Sequence, residues 1–162
     1  MKSVVCWLWE GRGYAPRHVN VLYRMFLRAL PEEHRFICIT DETRGFDSGI
    51  DVMPIPREAM ALADIKTPEG GRFPSCYRRL WMFSPDAVCL GDRVMLTDID
   101  VVLTGDISHL FSVDSEFVGW RPRMSWGHNR RRIGGGLYTM TPGTRTHVWD
   151  EFRGEKSIRE AR

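Results

Sequence analysis

The chain has 162 residues, of which 43% are hydrophobic, and 23 Lys and Arg against 21 Asp and Glu give it a net charge of +2. That length is enough for one domain with a real core, so a single domain over residues 1–162 is expected. The small net charge excludes a surface built as a whole for a polyanion, and no apolar run approaches the ~20 residues needed to cross a bilayer.

Residues 4–9 form a short apolar run rich in β-formers and closed by Glu10-Gly11-Arg12-Gly13, which predicts a buried strand and a loop. Pro16 opens a helix whose apolar positions Val19, Leu22, Tyr23, Phe26, Leu27 and Leu30 recur at helical spacing until Pro31. Residues 35–40 (RFICIT) predict a second strand, closed by Asp41. Strand, helix, strand suggests a parallel unit whose post-strand loops lie on the ligand-binding side of an α/β sheet. Trp9, Gly11, Tyr14 and Asp41 are then candidate binding residues. A Trp or Tyr there can stack on a base, or Trp9 can be core and Tyr14 plain loop surface. Cys6 and Cys38 sit inside the two apolar runs, Cys76 and Cys89 stand far off, and none forms a C-x-x-C pair, which fits a reduced, cytoplasmic protein.

Residues 50–55 predict a short third strand limited by Pro54 and Pro56, residues 57–64 a helical turn, and residues 66–74 a glycine- and proline-rich loop. From Ser75 the spacing of Tyr77, Leu80, Trp81 and Phe83 predicts a helix carrying Arg78 and Arg79. Gly91-Asp92 turns the chain into its most informative stretch, RVMLTDIDVVLTGDISHLF, where two apolar runs flank Asp98 and Asp100. An unpartnered carboxylate is costly to bury, so acids in such a stretch belong at a strand mouth or beside a cation. In a strand, side chains at i and i+2 share a face, which would bring Asp98 and Asp100 together. Two like charges so placed suit Mg²⁺ or Mn²⁺, whose shells are completed by water and substrate phosphates. The plainer alternative makes Asp98 a strand-end cap and Asp100 a surface acid.

Together, YRRLWMF, VMLTDIDVVL and GDISHLF resemble, in content and order, nucleotide-sugar glycosyltransferases of the GT-A fold, particularly the glycogenin-like and lipopolysaccharide galactosyltransferase-like group. The resemblance implies an α/β domain with a mostly parallel, twisted sheet flanked by helices. It implies a nucleotide-diphospho-sugar donor, a UDP-sugar first of all, and transfer of the sugar to a hydroxyl of an acceptor glycan, lipid or protein. Asp98 and Asp100 would hold Mn²⁺ or Mg²⁺, and Arg79 would reach the diphosphate or donor sugar. Arg supplies a planar fork suited to phosphate. Asp106 reads instead as a helix cap.

Residues 116–120 predict a further strand, and residues 121–132 carry five arginines with Trp126 and His128. That run reads as a solvated loop or, alternatively, as a contact for nucleic acid, a partner not otherwise expected. In the glycine-rich segment after it, Gly136 matches the glycine of the family's Asn-x-Gly beside the donor sugar, while Gly134 stands where asparagine is usual. Residues 146–152 predict a helix, and residues 153–162 a polar tail. Family members continue with an Asp-Gln element and a downstream His, the third metal ligand. None of His109, His128 and His147 sits at that place, so the chain reads either as truncated before its acceptor-side part or as a minimal form. The alternatives are a non-catalytic nucleotide-sugar-binding module and a nucleotidyltransferase, for which Glu10-Gly11-Arg12-Gly13 is a faint signal.

Overall fold

A computed structural model describes residues 1–10, 13–65, 74–120 and 133–160. The chain divides into two compact units, Met1–Pro54 with Leu90–Thr141, and Ile55–Cys89 with Pro142–Arg162.

The first unit is built on a six-stranded sheet. Its strands are β1 (Lys2–Leu8), β2 (Arg35–Thr40), β3 (Ile50–Met53), β4 (Arg93–Thr97), β5 (Phe117–Trp120) and β6 (Gly134–Met140). They lie in the order β3-β2-β1-β4-β6-β5. The pairs β3-β2, β2-β1 and β1-β4 are parallel, and β4-β6 and β6-β5 antiparallel. The sheet is thus mostly parallel, with an antiparallel margin. β1 and β2 are almost wholly buried, which is why both read as unbroken apolar runs rather than alternating ones.

The helix α1 (Pro16–Ala29) joins β1 to β2, with Pro16 in its first turn, where the missing N–H costs nothing. It buries Val19, Leu22, Phe26 and Ala29. The first three, with Leu30, meet Val4, Cys6 and Leu8 of β1, Phe36 and Cys38 of β2 and Met95 of β4 in one cluster. Phe26 and Tyr23 both pack on the Phe36 ring, at centroid distances of 5.7 and 5.3 Å. Leu27, counted on the apolar face from its spacing, is 53% exposed. It lies eight residues after Val19, so the 3.6-residue repeat has carried it past the buried stripe.

The second unit contains α2 (Arg57–Met60), α3 (His147–Asp150) and α4 (Glu155–Glu160), with two 3₁₀ helices, Pro74–Phe83 and Pro85–Leu90. The spacing after Ser75 predicted an ordinary helix, and the 3₁₀ winding has a local cause at its C-terminal end. Pro85 has no N–H to return to the Trp81 carbonyl, which accepts the Ser84 N–H at 2.9 Å instead. Trp81, Met82, Ala87 and Ala59 are buried here, and Tyr77 stacks on Phe152 at 6.0 Å. α4 falls in what read as a polar tail, and its i,i+4 pair Arg159–Glu155 helps to hold it.

Candidate functional site at the β1–β4 reversal

Register places the carboxyl ends of β1, β2 and β4 on one edge of the sheet, because Leu8 pairs with Thr40 and Val5 with Leu96 in parallel ladders. From β1 the chain builds β2 and β3 to one side, then returns to lay β4 on the other. The order therefore reverses between β1 and β4. Beyond the carboxyl ends at such a reversal the two loops diverge and leave a crevice, the usual ligand site of open α/β sheets.

The loops after β1 and β4 meet there. The Tyr14 hydroxyl donates to Asp100 Oδ2 at 3.1 Å. Tyr14 stands two residues ahead of α1, whose dipole favours anions at that end. Asp98 is held from the opposite side, its backbone N–H donating to the Gly136 carbonyl at 2.8 Å. A Cβ on Gly136 would collide with the Asp98 carboxylate, so only glycine leaves that side chain its present position. Asp98 is half-buried and Asp100 exposed. Ile99 between them packs against the core.

The alternation rule does not set the direction of these acids. β4 ends at Thr97, and Ile99 and Asp100 form a turn. Nor is the apolar run 101–103 a continuation of the buried strand, since Val102 is 74% exposed and no ladder forms there. The strand stops just before Asp98, and over residues 98–103 Ile99 and Leu103 are turned back to the core.

The other residues singled out in the sequence fall on several elements. Trp9 is 7% exposed and stands edge-on to Trp7 at 6.4 Å, a core position, which leaves Tyr14 as the exposed aromatic of its loop. Asp41 is exposed just past β2, on the same sheet edge as the crevice. Arg79 is half-buried in the 3₁₀ helix Pro74–Phe83 of the second unit. Gly11, Trp126 and His128 lie outside the described residues. His109 is in the 3₁₀ helix Ser108–Leu110, and His147 begins α3. Among the described residues no group of three or more His, Cys, Asp or Glu side chains is placed to hold a metal ion.

Asp106 caps the helix of Ser108–Leu110, as its position suggested. The Ser108 side chain, and the Ser108 N–H donating at 2.7 Å, hold its carboxyl below the ordinary carboxylate value. Gly134, at the place where the resemblance expected asparagine, packs under the Trp120 indole, and any Cβ there would strike the ring. Sequence reasoning passed over His18, whose Nδ1 accepts the Ala15 N–H at 2.9 Å and whose ring meets Tyr14. A side-chain acceptor at the third helical position was the available signal.

No family model and no curated protein matches this sequence. Solved structures do match. A galactosyltransferase, LgtC, in complex with donor and acceptor sugar analogs superposes with a TM-score of 0.59 over 98% of this chain and 61% of its own, at 15% identity. The fold is that of a glycosyltransferase. The glycosyltransferase GlyE of Streptococcus pneumoniae TIGR4, in its apo form, gives 0.57 over 99% of this chain and 42% of its own, at 15% identity. The bifunctional glycosyltransferase WbbM gives 0.51 over 91% and 32%, at 12% identity. The chain spans less than two thirds of the length of each of these glycosyltransferases. No helix among the described residues is long and apolar enough to cross a membrane.

Proposed function

We propose that this chain binds a nucleotide-diphospho-sugar, a UDP-sugar first of all, together with Mn²⁺ or Mg²⁺, and transfers the sugar to an acceptor hydroxyl. The observation that carries the reading is the meeting of Tyr14 and Asp100 at the β1–β4 reversal, with Asp98 held against a glycine beside them. The donor set fits such a cation. Two carboxylates offer hard oxygens, and a cation held by so few protein groups takes its remaining ligands from water and substrate phosphates. Bound there, it would neutralise charge gathering on the leaving diphosphate.

The chain's own residues do the rest by position. The Tyr14 phenol fixes one oxygen of Asp100, and the exposed part of its ring is available to a base. Gly136 keeps the Asp98 carboxylate in place while presenting no side chain of its own, which leaves room for a sugar. The N-terminus of α1 adds a favourable field for a diphosphate. The role that resemblance gives Arg79, a fork for the diphosphate, is tested by Arg79→Lys, which keeps the charge and removes the bidentate geometry. The wide spacing of Cys6, Cys38, Cys76 and Cys89, with no C-x-x-C among them, supports a reducing, cytoplasmic setting.

Titration calorimetry of UDP with and without Mn²⁺, on the wild type, Asp98→Ala and Asp100→Ala, tests the binding half. Manganese is expected to tighten binding to the wild type and to leave both variants unaffected. Equal affinity throughout would overturn the reading. A second reading, a nucleotide-sugar-binding module without turnover, draws on the two-carboxylate donor set, which has no third ligand among the described residues. Metal-dependent UDP binding with no hydrolysis of UDP-sugars would favour it.

A further inference from the structure

Tyr14 belongs to a loop and is 39% exposed, so its ring has to be oriented by contacts at its rim. One is the hydroxyl bond to Asp100. Another is the imidazole of His18, which meets the phenol ring edge-on, with centroids 5.6 Å apart and planes at 87°. That is the T-shaped arrangement in which the positive edge of one ring faces the negative face of the other. His18 is itself fixed. Its backbone N–H donates to the Ala15 carbonyl at 2.9 Å, and its Nδ1 accepts the Ala15 N–H at 2.9 Å. With Nδ1 as acceptor, a neutral ring carries its proton on Nε2. The imidazole is thereby pinned to the first turn of α1, whose buried face is anchored in the core.

We infer that His18 is a positioning residue: it transmits the rigidity of α1 to the Tyr14 ring and, through the phenol, to the Asp100 carboxylate. The inference rests on the reading of Asp100 as a ligand-binding group. It gives the helix cap a second task, for a capping acceptor alone needs no aromatic ring. An acceptor with no ring would cap α1 equally well and give Tyr14 no edge-to-face contact.

Two substitutions separate the two tasks. His18→Asn keeps an acceptor for the Ala15 N–H and removes the ring. His18→Phe keeps an aromatic ring against Tyr14 and removes the acceptor. UDP binding in the presence of Mn²⁺ is expected to weaken about three- to tenfold in His18→Asn, the range an edge-to-face pair supplies, and to stay within about twofold in His18→Phe. In a Tyr14→Ala background His18→Asn should cost nothing further. Wild-type affinity in His18→Asn, or the same loss with and without Tyr14, would overturn the inference. Proton NMR of the ligand-free chain gives a reading independent of the nucleotide. The Tyr14 side-chain scalar couplings should show one χ1 rotamer in the wild type and in His18→Phe, and rotamer averaging in His18→Asn. A single rotamer in His18→Asn refutes the positioning role even if UDP binds. Averaging confined to His18→Asn, in chains none of which binds UDP, would uphold the His18–Tyr14 coupling and sink the proposed function instead.

Discussion

Gly136→Ala separates the site from the fold in one substitution. The new methyl group meets the Asp98 carboxylate, mainly Oδ2, and no other side chain or backbone group comes comparably near. The obstacle is the far end of a half-buried side chain, so it can turn aside without moving the sheet. Gly136 is not among the glycines with positive φ, so alanine also fits its backbone. Stability should therefore change by less than about 1 kcal/mol, the strain being offset by the lower chain entropy of alanine, and the melting temperature by less than about 4 °C. The carboxylate responds differently. Leaving its rotamer for another staggered well turns it by about 120°, a displacement on the order of 2 Å or more at its oxygens. Metal–ligand distances tolerate only about 0.2 Å. The Mn²⁺-dependent part of UDP binding should thus fall at least about tenfold, or about 1.4 kcal/mol, while metal-free binding is unchanged. Gly135→Ala is the control, since its Cβ would meet nothing within 4 Å. Calorimetry with and without Mn²⁺, beside thermal melting of both variants, makes the comparison. If Gly136→Ala binds UDP with Mn²⁺ as the wild type does, the proposed part of Asp98 in holding the cation is wrong.

Phe26→Ala removes the ring that joins α1 to Phe36 in a fully buried place and should cost about 3–5 kcal/mol in urea denaturation. Gly134→Ala forces the Trp120 indole off its seat and should change tryptophan emission, at a cost of about 1–3 kcal/mol if the ring and strand shift together. Arg24→Ala breaks the two-bond pair with Asp47 beside the 41–49 loop. The pair is partly exposed, so stability should fall by no more than about 1 kcal/mol, with faster amide exchange in that loop as the clearer sign. The Asp106 carboxyl is held below its unfolded value, so its contribution is complete above the unfolded value and is lost as pH falls through the folded one. In Asp106→Asn that part of the acid-side loss should vanish, so the melting temperature should drop less between neutral and acid pH than in the wild type.

Much of the fold was legible in local pattern. β1 and β2 announced themselves as apolar runs, and α1 by its period and its bounding prolines, because burial on both faces of a sheet or along one helical stripe must appear in the order of residues. The winding of Pro74–Phe83 was not legible, since α and 3₁₀ helices draw on the same residues; at its C-terminal end the Trp81 carbonyl goes to Ser84 because of Pro85, outside the helical pattern itself. Asp98 and Asp100 stood out as acids between apolar runs, yet their directions did not follow, because the strand stops at Thr97.

The sequence by itself determined which residues are available at the crevice: two acids after a central strand, a tyrosine ahead of a helix, and a glycine in the partnering strand. Only the tertiary structure decided which of them meet. Tyr14 lies 86 positions from Asp100, and nothing in either stretch specifies the other. The parallel register of β1 with β4 brings the two loops to one edge, and the antiparallel register of β4 with β6 sets Gly136 against Asp98. Such registers arise from burying the whole sheet at once, a property of the packed chain that no single segment carries.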